Sequence, residues 1–333
     1  MKSIKIGIDN YSLFPLDLNP METLEWAIKF GAEGVAFSGL NKKNIELADK
    51  SYLLDMLEYT KSNDLYIEWG GAQHIPRDLN TWGKIDIFEN NRKVAEEANI
   101  LETKIIRSCS GGLMRWNPES IPTDILLKEM IEVLKSQKQM LRDNNAILAI
   151  ETHFEFTTHE LFRLFEECDA EPGDYLGICL DTMNLLTMLE DPEMATERIL
   201  PWVVSTHIKD GGILMNNNGF KSFPTRIGQG CVNIKNIITR IGSLPNEIFL
   251  SIEDHGGDFD MPVFDEKFLK EFPDLNSNEF NKLKQLSQIT ENKIKTGECA
   301  IINREKWPSQ CEKSIQQNII SLRKIVEEMD KER

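Results

Sequence analysis

The sequence is poor in basic residues and lacks the long apolar runs and paired cysteine motifs that mark several protein classes. Lys and Arg number 38 against 54 Asp and Glu, which leaves a net charge of −16. Nucleic-acid binders need clustered Lys and Arg, and anionic membranes repel a negative protein, so we expect neither partner. No apolar run approaches the roughly 20 residues of a membrane helix, and no signal-peptide core is apparent. We therefore expect a cytoplasmic protein whose six cysteines are reduced.

Eight short apolar, β-branched runs recur along the chain and predict eight strands. Segments with helical periodicity separate them, and two of these segments begin at the capping residues Asn19 and Thr157. Strands linked by helical crossovers pair in parallel, and eight such units close into a (β/α)8 TIM barrel. A doubly wound open sheet is the alternative fold. The predicted strands span residues 5–8, 34–37, 65–69, 104–107, 147–151, 177–181, 203–208 and 248–253.

The chain beyond residue 253 is longer than one closing helix requires. It begins with a loop rich in Gly, Pro and Phe, and residues 314–329 have the pattern of the eighth barrel helix. We predict a single barrel domain over residues 1–333, in which residues 254–333 form a C-terminal extension and closing helix. The extension either packs as a cap on its own barrel or provides a surface that binds a partner.

Four consecutive predicted strands of the barrel end in side chains that can bind a metal, namely Glu151, Asp181, His207 and Glu253. The C-terminal strand ends of a barrel meet at the mouth where active sites are built, so these side chains should lie at one height. Three anionic oxygens and one imidazole nitrogen suit a six-coordinate ion with two open positions, with Mn²⁺ expected and Mg²⁺ or Co²⁺ as alternatives. Alternatively, each acidic residue caps the following helix or pairs with a Lys.

Two histidines follow these strand ends closely. His153 lies two residues beyond Glu151, so both side chains face the same cavity if the strand continues. His153 is then placed to move a proton near the metal, although a hydrogen-bonded loop histidine would have the same spacing. His255 lies two residues beyond Glu253, but the following Gly256-Gly257 indicates that the strand has already turned.

Five short motifs surround these strand ends: Ile-Glu151-Thr-His153, Leu-Asp181-Thr-Met-Asn184, Thr-His207-Ile-Lys209-Asp210, Ile227-Gly228-Gln229-Gly230 and Ser-Ile-Glu253. Together they resemble the xylose isomerase-like TIM barrels, which include sugar epimerases and inosose-processing enzymes. The resemblance covers roughly residues 4–255. It implies that the four predicted ligands bind one divalent cation, which holds adjacent oxygens of a keto-sugar.

Two departures from the family pattern bear on the substrate. Ketose 3-epimerases typically carry a His and an Arg where this chain has Asn184 and Ile213, which argues against simple ketohexose epimerisation. Compact epimerases also lack the long tail after Glu253. The pattern is similar to the catalytic α subunit of bacterial C-glycoside deglycosidases, which work with a smaller β subunit. The resemblance thus implies an oligomer, with a small β subunit as a possible partner.

The resemblance implies proton abstraction next to a carbonyl of a keto-sugar. On a 3-keto-glycoside, His153 would remove the C2 proton and the aglycone would leave from C1, which makes the enzyme a lyase. An isomerase or epimerase is the alternative. Further expected catalytic residues are Glu151 and Glu253, and the expected substrate-binding residues are Asn184, Lys209 and His255.

Two other functions fit the sequence less well. A related barrel acts as an apurinic-site endonuclease, but that enzyme needs a trinuclear zinc site rich in His and a basic face for DNA. The five histidines and the charge of −16 argue against it. A non-catalytic sugar-binding protein would keep the barrel with an incomplete mouth, whereas here all four ligand types are present.

Overall fold

The computed structural model describes residues 4–332, and its centre is a closed barrel of eight parallel strands. The predicted domain of residues 1–333 extends slightly beyond these bounds. All strands are β1 (Ile6–Asp9), β2 (Gly34–Phe37), β3 (Tyr66–Ala72), β4 (Ile105–Ser108), β5 (Ile147–Glu151), β6 (Leu176–Asp181), β7 (Val203–Ile208), β8 (Asp210–Asn216), β9 (Gly219–Thr225), β10 (Leu250–Ile252) and β11 (Phe259–Met261).

The barrel closes because its last strand pairs with its first. The strand order is β1-β10-β7-β6-β5-β4-β3-β2, and β1 pairs in parallel with both β10 and β2. This closure confirms the predicted (β/α)8 barrel and rules out the open sheet. Apolar strand residues such as Ile8, Val35 and Ile106 are fully buried in the core.

Helices surround the barrel and begin where the sequence provides caps. Asn19 and Thr157 each form a capping box with the Glu three residues later, as the start of a helix requires. The helices are α1 (Pro20–Lys29), α2 (Lys42–Leu47), α3 (Lys50–Ser62), α4 (Phe88–Ile100), α5 (Thr123–Asp143), α6 (Thr158–Glu167), α7 (Asn184–Thr187), α8 (Pro192–Ile199), α9 (Ile234–Ile241), α10 (Glu266–Leu269), α11 (Ser277–Lys295) and α12 (Trp307–Lys331). Within residues 4–332, none of them combines the length and the apolarity that a membrane span needs.

A small antiparallel sheet interrupts the strand–helix alternation after β7. β8 and β9 form a hairpin, and β11 from the C-terminal extension pairs with β9. The Asn216 side chain accepts the backbone N–H groups of Asn218 and Gly219, and Gly219 has a φ of 151°. The sequence analysis did not predict this sheet, which adds a layer that α11 covers.

The C-terminal extension divides into two parts in space. α12 packs against β1, α9 and the 3-10 helix Asn10–Leu16, which is the place of the eighth barrel helix. It begins earlier than the residues 314–329 predicted for it. The residues before α12 contribute β11, α10 and α11, and part of this segment reaches the C-terminal end of the barrel.

Candidate metal centre

Four side chains from neighbouring strands converge at the C-terminal end of the barrel. Glu151 ends β5, Asp181 ends β6, His207 lies in the last part of β7, and Glu253 directly follows β10. One possible ligand atom from each lies within 4.8 Å of the others, and all four residues are buried. The structure thus brings together all four predicted metal ligands.

Four atoms of this cluster have no hydrogen-bond partner among residues 4–332: Glu151 Oε1, Asp181 Oδ2 and both ring nitrogens of His207. His207 Nδ1 lies 3.4 Å from Glu151 Oε1 and 3.8 Å from Glu253 Oε1. Buried polar atoms normally have partners, because an unsatisfied one costs about 1–3 kcal/mol. A cation between Glu151 Oε1, Asp181 Oδ2 and His207 Nδ1 would satisfy three of the four, so the residues fit a divalent ion.

Asp181 also takes the capping role that the sequence analysis considered as an alternative. Its Oδ1 accepts the backbone N–H groups of Met183 and Asn184, each at 2.8 Å, where α7 begins. Its Oδ2 lies 3.1 Å from Lys209 Nζ but makes no hydrogen bond. Capping therefore occupies one oxygen and leaves the other directed at the cluster, so the two roles coexist in one side chain.

Two buried cations flank the carboxylates. Arg107 on β4 donates to Glu151, and Lys209 donates to Glu253. Burial would raise the pKa of both carboxyl groups, but attraction to Arg107 lowers the pKa of Glu151, and attraction to Lys209 lowers that of Glu253 well below its usual value. Both carboxylates are therefore ionised and available to a cation.

His207 faces a further buried carboxylate on its other side. Asp9, at the end of β1, places its Oδ2 3.3 Å from His207 Nε2 and also accepts the Ser38 hydroxyl. With Nε2 directed at Asp9, Nδ1 faces Glu151 and Glu253. Carboxylates that orient a metal-binding imidazole in this way fix its tautomer and its ring position.

His153 lies just beyond β5 at the edge of the cluster. Its Nδ1 is 2.9 Å from Glu155 Oε2, and the other Glu155 oxygen accepts the backbone N–H of Gly112 at 3.1 Å. Burial would lower the pKa of His153, but the Cys109 and Glu155 groups beside it raise that pKa well above its usual value. One ring nitrogen of His153 lies within 4.8 Å of a Glu151 oxygen, so the two side chains are neighbours, while the role of His153 as the base stays a prediction.

The three predicted substrate-binding residues lie in different surroundings. Asn184 is fully buried at the start of α7, and its side-chain amide has no hydrogen-bond partner among the described residues. Lys209 is buried between Asp181 and Glu253. His255 lines the cavity that opens at the cluster. Burial there lowers its pKa to about 3 and keeps the imidazole neutral. Of the three, His255 has the most direct access to a ligand.

A cavity of about 820 Å³ opens at the cluster. Arg107, His153 and Glu253 line it together with aromatic side chains, among them Phe259 of β11, and Arg304 from the loop before α12. This volume lies within the range of about 300–1,000 Å³ that is typical of small-molecule sites. The C-terminal extension therefore forms part of the wall of the barrel's own cavity.

The sequence matches the family model described as xylose isomerase-like TIM barrel over residues 24–268. The chain belongs to this family. The match confirms the resemblance that the strand-end motifs indicated. A comparison with curated protein sequences found no significant match.

Solved structures of similar fold share little sequence with this xylose isomerase-like barrel. The probable 3-DHS dehydratase AsbF of Bacillus anthracis, involved in petrobactin synthesis, is 18% identical, with a TM-score of 0.58 over 87% of this chain and 99% of that one. An L-ribulose 3-epimerase is 14% identical, with a TM-score of 0.58 over 89% and 97%. A xylose isomerase-like TIM barrel protein from Mycobacterium smegmatis in complex with magnesium is 15% identical, with a TM-score of 0.52 over 86% and 98%. These likenesses show the shared fold.

Three residues of this xylose isomerase-like barrel that support the cluster were not predicted from the sequence: Asp9, Arg107 and Glu155. Asp9 and Arg107 lie at or near the ends of predicted strands, which is the same signal that identified the four ligands. Glu155 lies in a loop, and no pattern in the sequence indicates that it contacts His153.

Proposed function

We propose that the protein is a metal-dependent enzyme that abstracts a proton next to a carbonyl of a keto-sugar and then eliminates the aglycone of a 3-keto-glycoside. Its proposed ligands are Glu151, Asp181, His207 and Glu253, with Mn²⁺ as the expected ion. The observation that carries the proposal is the convergence of three unpartnered ligand atoms on one buried point beside a cavity that also exposes His153.

The chain's own residues would carry the proton. Glu151, Asp181, His207 and Glu253 would hold a divalent cation, which would supply Lewis-acid chemistry at the carbonyl next to the C–H bond that breaks. Only the neutral form of His153 can take the C2 proton, and it does so on Nε2, because Nδ1 is directed at Glu155. Because the pKa of His153 is raised, this form becomes more abundant as the pH rises. The electron pair of that bond forms a C1=C2 double bond conjugated with the C3 ketone, and the C1–aglycone bond breaks. The departing aglycone then accepts a proton from His153.

Two positions favour elimination over ketose epimerisation. The ketose 3-epimerase pattern has a His and an Arg where this chain has Asn184 and Ile213. Both of these side chains are fully buried, Ile213 on β8. A cavity of about 820 Å³ also has room for more than a single sugar ring. An isomerase or epimerase stays the second candidate, since the L-ribulose 3-epimerase has the same fold.

The test uses the full-length protein with Mn²⁺ and a panel of 3-keto-glycosides, inosose and ketohexoses in D₂O. We expect mass spectrometry to show a released aglycone and an unsaturated keto-sugar. Products isomeric with the substrate, with one deuterium incorporated, would favour the epimerase. Failure to exchange deuterium into any substrate, by a protein shown by metal analysis to hold its ion, would refute the proposal as a whole.

Two further expectations belong to this proposal. All six cysteines are unpaired, which fits the cytoplasmic location expected from the sequence. We also propose an oligomer, with a small β subunit as one possible partner, and the exposed side chains Phe264 and Leu269 of the extension support a docking surface there. Light scattering on the purified protein tests this assembly.

A further inference from the structure

Besides His153, which contacts Glu155, four charged side chains line the cavity, and three of these four have partners of opposite charge. Arg107 contacts Glu151, Glu253 contacts Lys209, and Asp258 lies 2.7 Å from Lys221. The fourth is Arg304, which makes no ion pair with any carboxylate in residues 4–332. In a protein with a net charge of −16, this cavity wall thus carries an uncompensated guanidinium.

Neutral groups hold Arg304 in place without neutralising it. Its Nη2 donates to the Tyr11 hydroxyl at 2.7 Å, and its Nη1 donates to the Gly256 carbonyl at 3.3 Å. The guanidinium also lies over the Trp307 ring, 4.6 Å from its centroid. These contacts restrict the side chain, which reduces the entropy it would lose on binding, and leave donors of its planar fork free.

Arg304 lies one layer outward from the metal cluster. His255 contacts Lys209 at 3.0 Å on its inner side, and Lys209 contacts the proposed ligand Glu253. On its outer side the His255 ring packs edge-on against Tyr11 and Trp307, the same two rings that hold Arg304. A ligand anchored at the cluster and extending along this wall would therefore meet the guanidinium at its far end.

We propose that Arg304 binds an anionic group, a carboxylate or a phosphate, on the part of the substrate distant from the metal. The inference rests on the proposed function for the position of the reacting end. Arg forms bidentate, charge-assisted hydrogen bonds with both anions, so the shared chemistry is an oxyanion. Arg304 is thereby a specificity-determining residue supplied by the C-terminal extension.

The test is calorimetric titration of the full-length, Mn²⁺-loaded protein with D-glucose, D-glucuronate and D-glucose 6-phosphate. We expect the wild-type protein to bind at least one anionic sugar about tenfold or more tightly than glucose, the lower end of what a charged hydrogen bond contributes. The anionic sugar with the larger gain in affinity over glucose shows whether Arg304 prefers a carboxylate or a phosphate. Arg304→Gln should remove this preference, and Arg304→Lys should retain part of it, because Lys keeps the charge but loses the fork.

Lys306→Gln is the matched control, since Lys306 is an exposed cation two residues away that does not line the cavity. It should keep the wild-type preference, and a thermal melt should show that every variant is folded. Equal binding of neutral and anionic sugars by the wild type, no binding of either anion, or an unchanged preference in Arg304→Gln would overturn the inference. Deuterium exchange on the neutral substrate panel tests the proposed function separately, because that readout needs no anion.

Discussion

Glu68 is a buried carboxyl group that should make the stability of the barrel depend on pH. It lies on β3 with its side chain in the barrel interior, where the Ser205 hydroxyl of β7 donates to its Oε2 at 2.5 Å. Only 3% of the residue is exposed, and burial raises its pKa to about 7. This pKa predicts a specific effect of the substitution Glu68→Gln.

The size and sign of the effect follow from the two states of the chain. In the unfolded chain Glu68 ionises near pH 4.5, whereas in the folded barrel it holds its proton to about pH 7. The unfolded state therefore binds fewer protons in this window, so the contribution of Glu68 to the free energy of unfolding falls as pH rises from about 4.5 to about 7. At about 1.4 kcal/mol per pKa unit, the loss is at most about 3.4 kcal/mol.

Glu68→Gln removes the ionisation while keeping a side chain of similar shape. We expect the variant and the wild type to have similar stability at pH 5, and the variant to be more stable by up to about 3.4 kcal/mol at pH 8. Urea unfolding with a chelator present measures this without a contribution from metal binding. Glu102→Gln, at an exposed carboxylate paired with Lys61, is the control. If the free energies of unfolding of the Glu68 variant and the wild type differed by the same amount at pH 5 and pH 8, the reasoning would be refuted.

The remaining predictions concern the cluster and the extension. Asp181→Asn should lower the divalent metal content measured by elemental analysis and lower activity with it, because it replaces a charged ligand by a neutral one, and full occupancy would contradict the site. His153→Ala should keep its metal but lose about 10²-fold or more in rate, whereas His159→Ala, whose side chain contacts Glu279, should not; near-normal turnover would reassign the base. Replacing the exposed Phe264 and Leu269 by Ser should lower the mass seen by light scattering if they dock another chain, and an unchanged assembly would assign the extension to the cavity wall alone.

The four proposed ligands could be predicted because their positions depend on a simple periodic feature. A buried parallel strand is a short apolar run, and the first polar residues after it must reach the barrel mouth. Asp181 shows how closely the strand end fixes the geometry, because one of its oxygens caps α7 while the other faces the cluster. Strand boundaries differ by a few residues from those predicted, but the polar ends coincide.

The antiparallel sheet of β8, β9 and β11 and the contacts of the supporting residues do not follow from a periodic sequence pattern. The hairpin turns at Asn217 and Asn218, and Gly219 begins β9 with a φ of 151°. Asn and Gly favour turns, but this stretch lies where the strand–helix alternation predicted a helix. His153 contacts Glu155 within one loop, and Gly112 in another loop donates its backbone N–H to the same Glu155. Such contacts follow from the assembled structure, because no periodicity constrains loop side chains.

The charges around the cluster show why the supporting residues matter as much as the ligands. Glu151, Asp181, Glu253 and Asp9 supply four formal negative charges, and the buried Arg107 and Lys209 supply two positive ones. The net charge of −2 that remains would be balanced by one divalent cation. Without that ion, attraction from the surrounding acidic groups outweighs the effect of burial and raises the pKa of His207 well above its usual value, so a proton compensates part of the deficit. A metal that binds Nδ1 must displace this proton, and metal affinity should therefore decrease as the pH falls.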